Sequence, residues 1–240
     1  MGEPTNLLPY TWVVELDAKE ALEYISKLYS EGTIEVAYPL VKRQMSPKWI
    51  PNDTYFDEQW HLENTGQDNG VAGEDVNITG AWNNYRGTGV VIGIVDDGLE
   101  WDHDDLSANY ESNLDYDYCN YDGNPYPSNW DAHGTAAAGV AAAIGNNGLG
   151  VSGSAPDASL AGLMLIACGN SDQDEANALS HMNNDIDIYS NSWGPSDNGN
   201  TLGSAGPLML AAFEDDAYNG RNGLGNIITW AAGNLSLIHI

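Results

Sequence analysis

The stretch GVVIGIVDDG, residues 89–98, is the part of the sequence that decides the fold. Its apolar run, residues 89–95, shows no polar alternation, which predicts a parallel strand buried on both faces. Two aspartates and a glycine follow directly, so the strand should open at its carboxyl end onto a polar loop. Further along, HGTAAAGVAAAI at 133–144 is rich in alanine and predicts a helix packed tightly inside the protein.

Strands and helices alternate around these two segments. Such alternation predicts an α/β fold, a parallel sheet with helices on both faces, with the chemistry at the carboxyl ends of the strands. The further predicted strands are Ser159–Ile166, Ile186–Asn191 and Asn226–Ala231, and the further predicted helices are Asp174–Met182 and Gly206–Tyr218.

The first 48 residues predict a separate, smaller unit. Residues 11–15 indicate a strand, residues 17–30 an amphipathic helix with Asp17 as N-cap, and Ile34–Leu40 a second strand, which together make a β-α-β fragment. The charge also changes here: residues 1–48 hold five bases and seven acids (−2), and residues 49–240 hold two bases and 28 acids (−26). We therefore expect a domain boundary near residue 48 and a main domain over 49–234.

The whole chain carries 7 Lys and Arg against 35 Asp and Glu, a formal net charge of −28. This charge excludes a nucleic-acid binder that neutralises phosphates, and it disfavours docking on an anionic membrane surface. Apolar residues make up 42% of the chain, enough to bury a core. The acidity has two interpretations, a hydrated surface suited to a salty medium or carboxylates clustered to bind calcium.

Two cysteines, Cys119 and Cys168, are too few for a disulfide framework, and they form either one bridge or two free thiols. No run reaches the roughly 18–20 apolar residues that cross a bilayer. The N-terminal sequence MGEPTNLLPYTW lacks the basic and apolar regions of a signal peptide. Either the protein stays in the cytoplasm or the chain starts late.

Three polar side chains lie at the ends of predicted elements. Asp96 ends the first core strand, His133 begins the alanine-rich helix, and Asn234 follows the strand IITWAAG. An aspartate that orients a histidine, and a histidine that deprotonates a hydroxyl, are two members of a nucleophilic triad, and a nearby amide can stabilise an oxyanion. Each residue alone has an ordinary alternative, a turn for Asp-Gly and a cap or surface position for the histidine.

Four stretches that contain these residues resemble the subtilisin-like serine protease superfamily, and most closely its kexin/furin branch. The resemblance covers roughly residues 54–234. It implies a subtilisin-like parallel sheet with helices on both faces. It also implies that Asp96 orients the imidazole, that His133 is general base and then general acid, and that Asn234 donates its amide to the oxyanion. The four stretches are GVVIGIVDDGLEWDHDDL (89–106), HGTAAAGVAAAIGNNG (133–148), YSNSWGPSDNG (189–199) and GRNGLGNIITWAAGN (220–234).

The resemblance also implies a polypeptide substrate, and three acids of the site would favour basic residues before the cleaved bond. Ser196 and Trp130 stand where the branch often has acids, so this basic preference has only part of its usual support. The nucleophilic serine of the family lies downstream of the asparagine, and residues 235–240 contain nothing like it, so the chain as it stands is expected to be inactive. The implied substrate-binding residues are Asp97, Ser192, Trp193, Gly194, Pro195, Asp197 and Glu175.

Calcium is implied by the same resemblance. Calcium takes six to eight oxygen ligands, which suits carboxylates, an amide and loop carbonyls. The alternative is Asx-turn chemistry alone, in which these side chains accept hydrogen bonds from nearby backbone amides. The first implied site has Asp53, Asp105 and Asn147 with carbonyls near Ile144, Leu149 and Val151, and a second, weaker one has Asp117, Asp122 and Asn124.

The resemblance also bears on the two ends of the chain. Residues 1–43 resemble the latter part of a propeptide that assists folding and is removed by the enzyme itself, and we predict processing between about Arg43 and Lys48. The alternative is that Lys42-Arg43 is an ordinary linker pair. Leu235–Ile240 departs from the family, and one back-translation resembles a sequencing-library adapter, so we expect a non-native tail rather than the alternative, a genuine apolar strand.

We therefore expect a secreted or cell-surface, calcium-stabilised serine endopeptidase that acts through an acyl-enzyme, represented by a fragment of its precursor. The rivals are a non-catalytic pseudoprotease and an acidic module that binds calcium or peptides. The expected partners are a polypeptide substrate and the protein's own propeptide, with no nucleic acid and no membrane segment in this chain.

Overall fold

The structure, a computed structural model, describes residues 3–4, 10–38, 40, 49–128, 130–195 and 203–234. The chain divides into two compact units, Met1–Ser46 and Pro47–Ile240. The predicted processing site at 43–48 and the predicted tail at 235–240 lie outside the described residues and remain predictions.

The smaller unit contains a helix and a short antiparallel ladder. Strand β1, Glu3–Pro4, pairs with β2, Trp12–Val13. Helix α1 spans Ala18–Ser30, as the sequence predicts. It begins where the Asp17 carboxylate accepts a hydrogen bond from the Lys19 amide at 3.0 Å, so the predicted N-cap forms.

One predicted element of this unit is wrong. The described residues of the segment 34–40 form no strand. A strand needs a neighbour that pairs with its amides and carbonyls. Here the Ala37 amide donates instead to the Tyr29 hydroxyl at 2.9 Å, and the ladder of this unit joins β1 to β2.

The larger unit is built on a parallel sheet, which has five strands within the described residues. The strands are β3 (Val91–Asp96), β4 (Tyr116–Asp117), β5 (Ser159–Met164), β6 (Ile188–Asn191) and β7 (Ile227–Trp230). Their order is β4-β5-β3-β6-β7, and every adjacent pair is parallel. The helices are α2 (His133–Ala142), α3 (Asp172–Leu179), α4 (Pro207–Tyr218) and the short α5 (Gly220–Gly223), and single 3₁₀ turns lie at Phe56–Glu58, Gln67–Asn69, Ile78–Asn83 and Ser107–Asn109.

Strand β3 lies in the middle of the sheet and is covered on both sides. Ile92, Ile94 and Leu160 pack against the alanines of α2 on one side. Val95 and Leu163 pack against α3 and α4 on the other. This two-sided burial is why the run in β3 is apolar without alternation, and it confirms the predicted α/β architecture with helices on both faces.

The core strands and helices form within a few residues of their predicted ends. The sequence analysis missed β4, because two residues are too few to show a strand period. No helix in the described part of the chain is long and apolar enough to cross a membrane.

Cys119 and Cys168 form a disulfide, with their Cα atoms 5.8 Å apart. Cys119 follows β4 and Cys168 follows β5, and these strands are neighbours, so the bridge joins two adjacent loops at the carboxyl edge of the sheet. The Tyr118 hydroxyl adds a hydrogen bond to the Asn177 carbonyl of α3 at 2.9 Å. The sequence allowed either one disulfide or two free thiols, and the structure shows the disulfide.

Asp216 of α4 is a buried carboxylate, 1% exposed, that belongs to no ion pair among the described residues. Its Oδ1 accepts a hydrogen bond from the side-chain amide of Asn183 at 3.1 Å. Its Oδ2 is buried with no hydrogen-bond partner in the described part of the chain. Burial raises the pKa of Asp216 to about 6, the charge of Asp215 adds to the rise, and the hydrogen bond from Asn183 opposes it.

Replacing Asp216 by Asn is expected to stabilise the protein at pH 8 by about 1–3 kcal/mol and to leave its stability unchanged at pH 4. A carboxyl with a raised folded pKa is most favourable when protonated, and its contribution to stability is lost as pH rises through about 6. Asparagine stays neutral and keeps an acceptor for Asn183. Urea unfolding of both proteins at the two pH values measures the difference, and an equal midpoint at pH 8 would contradict the prediction.

Candidate active site

Asp96 and His133 meet at the carboxyl end of β3. Asp96 is the last residue of that strand and His133 is the first of α2. The histidine Nδ1 lies 2.9 Å from Oδ1 and 3.1 Å from Oδ2 of Asp96. The Asp96 side chain is 1% exposed and that of His133 is 58% exposed. A buried carboxylate therefore holds Nδ1–H of a solvent-accessible ring, which leaves Nε2 to accept a proton.

The two partners shift each other's pKa. The hydrogen bond to Asp96 raises the pKa of His133, partial desolvation opposes the rise, and the negative charges of Asp96 and Asp97 add to it. Burial raises the pKa of Asp96, and the hydrogen bond from His133 opposes that rise. The pair thus favours a protonated imidazole more than free histidine does.

We expect the His133 ring to titrate above the ordinary value of about 6.5. In the variant Asp96→Asn the midpoint should return toward that value, because the hydrogen bond to a carboxylate is lost. A base must be neutral to accept a proton, so any reaction that uses this base is lost as pH falls through the raised pKa. NMR titration of the histidine Cε1–H resonance measures both midpoints, and a wild-type midpoint at or below 6.5 would contradict the expectation.

Asp97, which the sequence assigns to substrate recognition, directs both carboxylate oxygens at the first turn of α2. Oδ2 accepts a hydrogen bond from the His133 amide at 3.1 Å, and Oδ1 accepts one from the Gly134 amide at 2.6 Å. These bonds fasten the loop after β3 to the helix. Binding of a basic substrate residue by Asp97 stays a prediction.

The segment Ser192–Pro195, predicted to pair with the substrate backbone, continues from β6 at the same edge of the sheet as Asp96. The indole Nε1 of Trp230 donates to the Trp193 carbonyl at 2.6 Å, and the two rings stack edge to face at 4.5 Å. Trp230 therefore fixes this segment from the end of β7. The sequence analysis missed this residue, because nothing in the pattern ITWAAG shows what the indole contacts.

Two of the remaining predicted substrate-binding and catalytic residues lie within the described residues. Asn234 lies just beyond the end of β7. Glu175 lies in the first turn of α3 and is half-buried, and burial together with the charges of Asp172 and Asp174 raises its pKa. Asp197 lies outside the described residues. The structure thus brings Asp96, Asp97 and His133 into direct contact, and it gives the other roles no direct test.

The two carboxylates of the first predicted calcium site come from different segments and both contact the loop that follows α2. Asp105 accepts hydrogen bonds from the Asn147 side-chain amide at 2.7 Å and from the Val151 amide at 2.9 Å. Asp53 accepts one from the Asn146 amide at 2.6 Å. Both carboxylates are buried, and neither forms an ion pair with a base in the described part of the chain.

The oxygens of this loop are of the kinds that calcium binds, and one of them, Oδ1 of Asn147, already accepts a hydrogen bond from the Leu149 amide at 2.8 Å, the contact of the Asx-turn alternative. Within the described residues, the carbonyls of Ile144, Leu149 and Val151 accept no hydrogen bond. Buried carboxylates without a base and unused carbonyls are the oxygen ligands that calcium takes. The described residues contain no group of three or more His, Cys, Asp or Glu placed to hold a metal, so this site would depend on neutral oxygens as well.

The second predicted calcium site has a different arrangement. Asp117 is buried, and its Oδ1 accepts hydrogen bonds from the Cys119 amide at 2.6 Å and the Asn120 amide at 3.0 Å. Asp122 accepts one from the Asn124 amide at 2.9 Å, and both of these residues are exposed. These are the contacts of the Asx-turn alternative. A metal at this second site stays a prediction.

Comparison with known proteins gives consistent matches. Residues 87–238 match the model of the subtilase family. A PC3-like endoprotease (variant B) of Hydra vulgaris is 46% identical over 189 residues, which cover 77% of this chain and 27% of the relative. Neuroendocrine convertase 2 of Homo sapiens is 44% identical over 189 residues, which cover 76% of this chain and 30% of the convertase. The structure of the Aeromonas sobria serine protease, solved in complex with a chaperone, matches with a TM-score of 0.65 at 30% identity. The match covers 77% of this chain and 32% of the Aeromonas chain.

Proposed function

The chain belongs to the subtilase family, and from that premise we propose that it supplies the aspartate and the histidine of the catalytic triad of a serine endopeptidase. The observation that carries the proposal is the hydrogen bond between Asp96 and Nδ1 of His133. The chain spans 27% and 30% of the length of the two relatives described above, so the activity is proposed for the whole protein that contains it.

In the proposed reaction, Asp96 keeps the proton on Nδ1 of His133, so Nε2 takes the proton of a serine hydroxyl as its oxygen attacks the peptide carbonyl. The same nitrogen then returns that proton to the leaving amine, which leaves an acyl-enzyme. Nε2 then takes a proton from a water molecule as the water oxygen attacks the acyl carbonyl. The bond to the serine oxygen breaks, the proton returns to the serine, and the carboxylic acid product is released. Asn234 would donate its side-chain amide to the oxyanion of each tetrahedral intermediate. The serine is contributed by a part of the protein outside these residues.

Labelling with a fluorophosphonate tests this proposal, because the reagent reacts with an activated serine. The complete protein should be labelled, and His133→Ala should slow labelling by at least about 10³-fold. The control is Asp104→Asn, which removes an exposed charge from the loop that follows β3 and Asp96. A complete, folded wild-type protein that is not labelled would favour the rival pseudoprotease.

We propose that calcium binds at Asp53, Asp105 and Asn147 and stabilises the loop that follows α2. When bound, the ion would neutralise two buried carboxylates, and it takes no part in the chemistry. Calcium at 100 times its Kd should add about 2.7 kcal/mol to the free energy of unfolding, and Asp105→Asn should remove this gain. Equal unfolding midpoints with calcium and with a chelator would contradict this proposal.

The finer features of the sequence prediction are proposals as well. A preference for basic residues before the cleaved bond is supported by the half-buried Glu175 in the first turn of α3, and paired peptides with Arg or Ala immediately before that bond would measure it. Secretion is supported by the disulfide, since such bridges persist in oxidising compartments. Removal of residues 1–43 as a propeptide is tested by N-terminal sequencing of the mature protein.

A further inference from the structure

Helix α2 begins without a capping side chain of its own. Its N-cap residue, Ala132, has no side chain that accepts a hydrogen bond. The first amides of a helix find no partner within the helix. The amides of His133 and Gly134 therefore need acceptors from elsewhere in the fold.

Asp97 supplies both acceptors. Its two carboxylate oxygens take the amides of His133 and Gly134, at 3.1 and 2.6 Å, from a position 36 residues earlier in the chain. A carboxylate at the amino end of a helix is also favoured by the helix dipole. The cap that the sequence around α2 lacks thus comes from the loop that follows β3.

One further contact within this loop and one between the loop and α2 support the arrangement. The Asp97 amide donates to Oδ1 of Asp96 at 2.8 Å, the same oxygen that lies 2.9 Å from Nδ1 of His133. The Glu100 amide donates to the Thr135 hydroxyl at 2.9 Å. The Asp96 carboxylate therefore holds the ring of His133, and the neighbouring Asp97 carboxylate holds its main chain.

The main chains of the two segments also lie in close contact. A Cβ on Gly134 would lie 2.1 Å from the Gly98 carbonyl oxygen and 2.8 Å from the Asp96 Cβ. A Cβ on Gly139, in the same helix, would meet nothing within 4 Å. The first turn of α2 is thus held directly against the Asp96–Gly98 segment, whereas the position of Gly139 is open.

We propose that Asp97 is a positioning residue, which fixes the main chain of His133 so that the imidazole meets Asp96. It acts through the amides of His133 and Gly134, a role distinct from the recognition of a basic substrate residue. The use of His133 as a base rests on the proposed function, whereas the position of its ring does not.

The test uses NMR of the 240-residue chain, which requires no protease activity. The readouts are the downfield resonance of the His133 Nδ1 proton and the hydrogen exchange of the His133 and Gly134 amides. Asp97→Asn keeps the shape of the side chain but presents an amide donor to one backbone amide. It should broaden or abolish the resonance and speed exchange of both amides by at least about 10-fold, the effect of losing one net hydrogen bond.

Asp104→Asn is the matched control, since it removes an equal charge from an exposed position of the same loop. It should leave the resonance and the exchange rates as in wild type. A folded Asp97→Asn protein with an unchanged resonance and unchanged exchange would overturn the proposal. If that variant does not fold, Asp97→Ser offers one oxygen in place of two, so exchange of at least one of the two amides should be faster. Wild-type exchange of both amides in this second variant would overturn the proposal equally.

Kinetics of the complete protease separates positioning from substrate recognition. Two peptide substrates are compared, which differ only in the second residue before the cleaved peptide bond, Lys in one and Ala in the other. Positioning predicts that Asp97→Asn lowers kcat by about 10–100-fold for both peptides, because a misplaced base slows every substrate. A loss confined to kcat/KM of the Lys peptide would overturn the proposal and leave the proposed protease function intact.

Discussion

In the proposed serine endopeptidase, replacing Asp96 by Asn should lower kcat by about 10⁴-fold, with little change in KM. In the wild-type protein the carboxylate lies 2.9 Å from Nδ1 of His133 and accepts a hydrogen bond from Nδ1–H. An asparagine amide would instead donate to Nδ1 and so select the tautomer whose proton sits on Nε2. That tautomer cannot take the proton of a serine, although the geometry of the site is preserved.

Steady-state kinetics on a peptide substrate measures this effect, and the unfolding midpoint shows whether the variant is still folded. Asp104→Asn again serves as the control, because it changes the charge by the same amount without touching the pair. A folded Asp96→Asn enzyme within 10-fold of the wild-type kcat would show that His133 is not oriented by this carboxylate.

Removing the disulfide, by replacing both Cys119 and Cys168 with Ala, is expected to lower the free energy of unfolding by about 4 kcal/mol. The bridge joins residues 49 positions apart, so its loss frees a long loop in the unfolded chain. The folded chain should change little there, because the Tyr118 hydroxyl still binds the Asn177 carbonyl of α3. The expected result is therefore a less stable protein of the same fold.

Urea unfolding of the wild-type chain with and without a reductant, beside the double variant, measures this loss. The reductant should lower the wild-type midpoint to that of the variant and should leave the variant unchanged. Equal midpoints for oxidised wild type and double variant would mean that the bridge contributes no net stability. The resonance of the His133 Nδ1 proton should survive in the variant, since the hydrogen bond between Asp96 and His133 involves neither cysteine.

Much of the fold could be predicted from the sequence, because burial leaves a mark on local patterns. The unbroken apolar run before Asp96 corresponds to β3, whose residues pack against helices on both faces of the sheet. Asp17 caps α1 as its position predicts. The strand predicted at 34–40 is wrong, since an apolar pattern does not supply the neighbour that a strand requires.

In the candidate site, the sequence indicated one contact, between Asp96 and His133, and missed others. The order of Asp96 and His133, each at the end of an element, indicated that they would meet. The use of Asp97 as a cap for α2 could not be read from the chain, because the residues it binds are 36 and 37 positions away. The same holds for the indole of Trp230, which binds the Trp193 carbonyl across two strands.

The sequence by itself therefore determined the α/β class and the buried central strand, because periodicity and residue type report on local conformation and on burial. The roles of Asp96 and His133 were implied by the family resemblance of the stretches that contain them. Only the tertiary structure decided which side chains are partners: the disulfide between Cys119 and Cys168, the capping of α2 by Asp97 and the turn formed by Asp117. The physical reason is that parallel strands bring distant loops together at one edge of the sheet, and hydrogen bonds form between whatever groups meet there.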